Sequence, residues 1–212
     1  PRSSRGASPC TRVRAVAKLT KRSARQETGL FLLEGPQAAR EVLAYRPDTV
    51  IDLYATPTAL EKHAEIRDAA RDAGIDVTFA TEAVLDAMAD TVTPQGIVAV
   101  ARQTPTSMRD VFAAGPRLIA ICEEVRDPGN LGTIIRAADA VGADAVILTG
   151  RTVDPYNPKV VRASTGSLFH LPVAVGVDLA STVERARAAG VRVVAADVGG
   201  EDFLAHRPSL SE

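Results

Sequence analysis

Short apolar runs alternate with amphipathic stretches along most of the chain. Residues 29–35 (GLFLLEG), 49–55, 75–80 and 96–102 read as strands. The intervening segments, Pro36 to about Ala44, Pro57–Ala73 and Thr81–Ala89, carry helical spacing, with Pro36 in a first turn where its missing N–H is harmless. This alternation predicts a small α/β domain over 1–102. Residues 103–115 (QTPTSMRDVFAAG) hold polar turn signals and a helical turn or two, and read as a linker. The pattern then restarts in a second domain, 116–212. Strands are expected at 117–122, 145–149, 171–175 and 191–196, and helices at 131–141, 158–166 and 181–189. Runs such as LIAIC, AVIL and VRVVAA are nearly unbroken in apolar residues, which suits parallel strands covered on both faces.

Composition narrows the class. Hydrophobic residues are 46% and charged residues 24%, enough to bury a core and to exclude a disordered chain. Aromatic residues are only 4%, with no Trp, so any base-stacking surface is sparse. Cys10 and Cys122 cannot build a disulfide framework, and with three histidines they form no metal pattern. No apolar run approaches the ~20 residues of a membrane span. The basic N-terminus lacks the apolar core of a signal peptide. The expectation is a cytoplasmic protein without metal or membrane.

Charge is distributed unevenly. Residues 1–25 hold eight basic side chains and no acid, while the remainder holds 17 basic and 26 acidic groups. A basic arm on an acidic body points to a polyanion. Residues 11–25 read as one helix, with Arg14, Lys18, Lys21 and Arg25 on a stripe and Val13, Ala17 and Ala24 on a neighbouring face. Without interleaved acids, this stripe, with Arg22, reads as a phosphate-tracking face, and a solvated charged face is the alternative.

The most informative segment is 124–143, EVRDPGNLGTIIRAADAVGA. Asp-Pro-Gly-Asn reads as a turn, with Asn130 as the N-cap of the following helix. On that helix Leu131, Ile134, Ile135, Ala138 and Val141 share one face, and Gly132, Thr133, Arg136 and Asp139 the other. Downstream, the RASTG segment places Arg162, Ser164 and Thr165 before Ser167. Small hydroxyls and a glycine there permit close backbone approach to a ligand, or simply end a helix. The loop after residue 195 follows an apolar run at a strand's C-terminal end, where parallel α/β sheets hold ligands.

DPGNLGTIIRAADAVGADAVIL resembles the first motif of the SpoU/TrmH family of RNA 2′-O-methyltransferases, of the SPOUT superfamily. PKVVRASTGSLFHLPV and VVAADVGGEDF resemble its following segments, and GLFLLEGPQAAREVL its accessory substrate-binding domain. The resemblance implies an RNA-binding domain joined to a knot-type α/β methyltransferase domain. It further implies S-adenosylmethionine as cofactor, an RNA substrate and a homodimer. By resemblance Arg136 and Asn130 are catalytic, and Glu124 is a candidate partner that fixes the Arg136 rotamer. Arg162, Ser164 and Thr165 contact RNA at the dimer interface, and Ala195, Ala196, Asp197, Val198 and Gly199 approach the methyl donor. His170 reads as structural. The family's later motifs, a Gly-Asn-Glu-like loop and an Ile-Pro strand with a Ser-Leu-Asn helix, do not occur before Glu212. The sequence therefore reads as lacking a C-terminal tail that completes the trefoil knot.

Ribosomal RNA is favoured over transfer RNA because of the extra N-terminal domain. Two alternatives stand beside this reading. One is a catalytically inactive RNA-binding protein of the same fold. The other is a nucleotide-binding Rossmann enzyme, against which the absence of Gly-x-Gly-x-x-Gly after any strand weighs heavily.

Overall fold

A computed structural model describes residues 9–196. Helices α1 (Pro9–Lys18) and α2 (Arg22–Thr28) lead into β1 (Leu30–Glu34), α3 (Gly35–Tyr45), a 3-10 turn (Pro47–Thr49) and β2 (Val50–Ala55). Then follow α4 (Pro57–Lys62), α5 (Ala64–Asp72), β3 (Val77–Phe79), α6 (Glu82–Met88) and β4 (Ile97–Arg102). These four strands make a mixed sheet in the order β1-β4-β2-β3, with β4 antiparallel to both neighbours and β2 parallel to β3. Side chains alternate across it. Phe31, Leu33, Leu53, Ile97 and Ala99 face α3, while Leu32, Tyr54, Val98 and Val100 face Val16 of α1, Leu19 just beyond it, and Leu85 and Met88 of α6.

The helix expected over 11–25 is two helices. The Thr20 hydroxyl donates to the Ala17 carbonyl at 2.8 Å, a local bond that competes with the helical ladder, and Leu19 turns into the core at the break. The helix expected over 57–73 also divides, at His63, whose backbone is non-helical (φ −123°, ψ 59°); the turn resumes so that Ile66 and Ala70 are fully buried.

Residues 103–115 do more than link. Thr106 pairs with Ala174, and α7 (Met108–Ala113) buries Val111 against the second sheet. That sheet comprises β5 (Ile119–Glu123), β6 (Ala145–Thr149) and β7 (Val173–Val177), parallel and in that order. Helices α8 (Pro128–Ala140) and α9 (Pro158–Ala163) cover one face. On the other, α7 packs against β7, and α10 (Leu179–Ala188) lies against α7. The parallel arrangement agrees with the runs LIAIC and AVIL, which form β5 and β6.

The strand expected over 191–196 is not there. Among the described residues no strand lies alongside it, so its backbone has no ladder partner, and most of its side chains face solvent. The two sheets share one core. A single cluster runs from Phe31, Ala39 and Val42 to Leu131, Ile135, Val160 and Phe169, and the Phe31 ring lies 4.9 Å from that of Tyr156. No described helix is long and apolar enough to cross a membrane.

Candidate active site and RNA interface

The C-terminal ends of β5 and β6 and the N-terminus of α8 meet at one edge. The Glu124 amide donates to Thr149 at 3.3 Å and the Val153 amide to Val125 at 2.8 Å, so the loops after the two strands lie side by side. Asp127, not Asn130, caps α8: its Oδ1 accepts the Asn130 amide at 2.8 Å. The reason is Pro128, which lacks an N–H and fits the first helical position, so Pro-Gly-Asn forms the first turn instead of a separate β-turn. The Asn130 side chain therefore takes no part in capping.

Asn130, Thr133 and Arg136 step along the exposed side of α8, successive members about 60° apart around the axis. Arg136 forms no ion pair or side-chain hydrogen bond among the described residues. The expected Glu124–Arg136 pair is absent. Glu124, at φ +49°, holds Arg126 at 2.7 Å and Arg151 at 4.0 Å. Gly132 does not belong to the polar face. It is buried, and a Cβ there would come within 2.4 Å of the Ala163 Cβ and 2.9 Å of the Ser164 amide nitrogen. Burial pushes the thiol of Cys122, on β5, up to about 11, which keeps it protonated and unreactive.

Two of the three expected contacts of the RASTG segment are engaged within the protein. Arg162 donates to Glu34 at 2.7 Å and Asp90 at 3.0 Å, so both sides of its fork are taken by the first domain. Ser164 is fully buried, and its hydroxyl donates to the Val161 carbonyl at 2.9 Å, which makes it a structural residue. Thr165 is exposed at φ +50°, a strained conformation for a β-branched residue. Arg162 and Thr165 line a cleft of about 240 Å³ with Gln37, Thr91 and Gln95 of the first domain.

His170 is structural in a specific sense. Its Nδ1 lies 2.7 Å from Asp139 on α8 and its Nε2 2.9 Å from Glu41 on α3. Burial alone would lower its pKa, but hydrogen bonds to Glu41 and Asp139 outweigh that and raise it.

On the arm, Arg14, Lys18, Lys21 and Arg22 are exposed and without ion pairs among the described residues. Arg25, expected on the same stripe, is 1% exposed and is withdrawn from it. Its Nη2 and Nε lie 2.7 and 2.8 Å from Asp154, and Nη1 donates to the carbonyls of Leu19 and Thr20 at 2.9 Å. The break between α1 and α2 gives Arg25 these partners.

A second cleft, of about 290 Å³, opens at the C-terminal ends of β6 and β7. Leu148 and Val175 give it apolar surface. Gly150 (φ +60°) and Gly176 (φ +70°) leave bare backbone, and Thr152 supplies a hydroxyl. Bare amides and carbonyls beside apolar walls suit an adenosine. Of the expected donor contacts, Ala195 and Ala196 are exposed and outside any strand, while Asp197, Val198 and Gly199 lie outside the described residues. Gly150 and Gly176 escaped sequence reasoning, although each follows directly on an apolar run. Among the described residues no cluster of His, Cys, Asp and Glu could hold a metal ion.

Comparison with known proteins gives two family matches. The SpoU rRNA Methylase family matches residues 117–210 and the MRM3-like substrate binding domain matches residues 11–99. The 23S rRNA (guanosine(2553)-2′-O)-methyltransferase RlmP of Bacillus subtilis is 36% identical over 186 residues, covering 86% of this chain and 68% of the relative. An rRNA methyltransferase of Sinorhizobium meliloti superimposes with a TM-score of 0.76 at 31% identity, covering 92% of this chain and 73% of that one. The SpoU methyltransferase AviRb of Streptomyces viridochromogenes, solved with its cofactor AdoMet, gives 0.70 at 30% identity, covering 84% and 69%. Other relatives extend further beyond the match: this chain spans 66% of a Synechocystis methyltransferase and 65% of the AdoMet-bound Sinorhizobium structure.

Proposed function

The chain belongs to the SpoU rRNA methylase family, and from that membership we propose that it moves a methyl group from S-adenosylmethionine to a ribose 2′-hydroxyl of ribosomal RNA. The observation that carries this reading is Arg136, exposed and unpaired on the outer side of α8, within the segment the family profile matches.

Residues 1–102 serve as the RNA-binding domain and 116–212 as the methyltransferase domain. S-adenosylmethionine supplies an electrophilic methyl carbon on a sulfonium. The protein's task is to hold the ribose oxygen in line with that carbon and opposite the sulfur, and to manage the charge that develops on oxygen. A guanidinium stays protonated in proteins, so Arg136 does not remove the hydroxyl proton. Its planar fork clamps the neighbouring phosphate or stabilises the developing oxyanion. Asn130, freed from capping, offers an amide to orient the ribose. The loop after residue 195 approaches the methyl donor on this reading, and Arg14, Lys18, Lys21 and Arg22 hold RNA phosphates. The protein acts as a homodimer in the cytoplasm, with the knot of its family. Exposed Leu118 and Val141, on segments joined by the 2.8 Å bond from Asp144 N–H to the Leu118 carbonyl, supply apolar contact surface for such a dimer.

Methyl transfer from labelled S-adenosylmethionine to rRNA tests the assignment. Arg136→Ala is expected to lose at least about a hundredfold in kcat, the loss typical of removing one oxyanion donor. Donor affinity and the thermal transition should stay at wild-type values, because Arg136 is exposed and forms no ion pair among the described residues. Arg136→Lys should recover little, since a point charge does not replace the fork. Full activity in the alanine variant would remove Arg136 from the mechanism.

A further inference from the structure

Helix α1 lies over one face of the first sheet. Val16, and Leu19 just beyond the helix, pack on Leu32, Tyr54, Val98 and Val100. One turn earlier, the same stripe of the helix carries Arg12 and Ala15. A large apolar residue there would complete the packing, but Ala15 offers only a methyl group and Arg12 a charged stem. The space left over the sheet is a slot of about 140 Å³, walled by Leu30, Ile51 and Val100.

Tyr54 lines this slot and is 3% exposed. Its hydroxyl is the one buried side-chain polar atom without a hydrogen-bond partner among the described residues. A buried hydroxyl left unpaired costs stability that phenylalanine would not. Burial first, and then the Asp52 carboxylate close by, push its pKa up to about 12, so it stays protonated and able to donate. Asp52 and Arg12 both act on the hydroxyl electrostatically and both line the slot, so the hydroxyl belongs to its polar end.

We propose that the slot beneath α1 takes one unpaired base of the RNA substrate, whose edge accepts a hydrogen bond from the Tyr54 hydroxyl. This inference rests on the reading of RNA as the substrate. A base is a flat ring with apolar faces and a polar edge, which matches apolar walls closed by a polar end. An arginine plane stacks on such a ring, and Arg12 is placed at the slot for that role. The volume is below the ~300–1,000 Å³ of pockets for larger ligands, so it suits a single base rather than a whole nucleotide. Arg14 and Lys18, exposed on the same helix, supply cations for the flanking phosphates.

The test uses the full-length protein and two probes: a short oligouridylate and an oligoribonucleotide of the same length that lacks bases. Each is titrated against wild type, Tyr54→Phe, Ala15→Leu and Arg14→Gln. The wild type is expected to bind the oligouridylate about tenfold more tightly, the worth of one held base. Tyr54→Phe should lose about fivefold for the oligouridylate, the worth of one hydrogen bond, and nothing for the abasic probe. It should also melt at or above the wild-type temperature, because the unpaired hydroxyl is gone. A purely structural tyrosine would not give that combination. Ala15→Leu, which fills the slot from its rim, should abolish the preference for bases. Arg14→Gln should weaken both probes by the same factor, as loss of a phosphate contact does. Free uridine should bind at least about a hundredfold more weakly than the oligouridylate, since it brings no phosphates to the arm.

Equal affinity of the wild type for the two oligomers would overturn the proposal. So would a base preference that survives intact in both Tyr54→Phe and Ala15→Leu. Should Ala15→Leu unfold, Tyr54→Phe still decides. Free uridine binding as tightly as the oligomer would overturn RNA as the ligand. Methyl transfer to rRNA without any base preference would remove the slot alone. A base preference lost in Tyr54→Phe, in a protein that transfers no methyl group, would keep the slot and remove the reaction reading.

Discussion

Single residues on this chain are defined by distant partners. His170 lies between Asp139 and Glu41, with the Tyr45 ring 4.0 Å away, so one imidazole ties α8 to α3. Its pKa is raised in the folded state despite the opposing effect of burial, because two carboxylates favour the charged ring. The contribution to stability is therefore complete below the unfolded value of about 6.5 and disappears as pH rises through the elevated folded value. Thermal melts across that interval should show the wild type losing stability toward alkaline pH. His170→Gln should be less stable at acid pH and lack that part of the slope. Parallel slopes in the two proteins would mean the ring is neutral when folded. Arg25 carries the same lesson. Residue type alone does not separate it from Lys18 or Lys21; the carbonyls of Leu19 and Thr20 at the helix break and Asp154, far downstream, together make it a buried residue.

At the scale of elements, α8 and α9 come close enough that their contact admits no side chain at Gly132. In an exposed helix, Gly→Ala stabilises by about 1 kcal/mol. Here the added methyl meets Ala163 and the Ser164 backbone, so Gly132→Ala should instead destabilise by about 1–3 kcal/mol in a denaturant titration. A gain in stability would mean the helices stand apart. Most elements were legible in the sequence because their apolar runs and turn residues are local signals; β5, β6 and β7 and the helices between them follow them closely. The helix breaks at Leu19–Lys21 and His63 were not legible, because what decides them is where Leu19 and Ile66 find a core. The central position of β4 was hidden for the same reason, since sheet order is a long-range property. The cap of α8 was misplaced by three residues although Asp127-Pro128 signals a helix start, because Pro-Gly also signals a turn and local chemistry alone does not choose between them.

The whole molecule joins a mixed sheet to a parallel one through a shared core and three polar ties: Arg25 to Asp154, Arg162 to Glu34 and Asp90, and His170 to Glu41. One of these ties withdraws a contact expected in the second half of the chain. Arg162 is a plausible phosphate ligand by sequence, but two carboxylates from the first domain already occupy it. The exposed basic residues of α1 and α2 and Arg136 on α8 are among those left unpaired and open to a polyanion. On this account RNA lies across the arm and reaches α8, with one ribose at Arg136. The most direct measurement is to incubate the full-length protein with methyl-labelled S-adenosylmethionine and rRNA from cells lacking its gene, then map the label by alkaline hydrolysis. The account predicts label confined to one alkali-resistant linkage, which is the mark of a 2′-O-methylated ribose. Label on a base, or no transfer to rRNA, would contradict it.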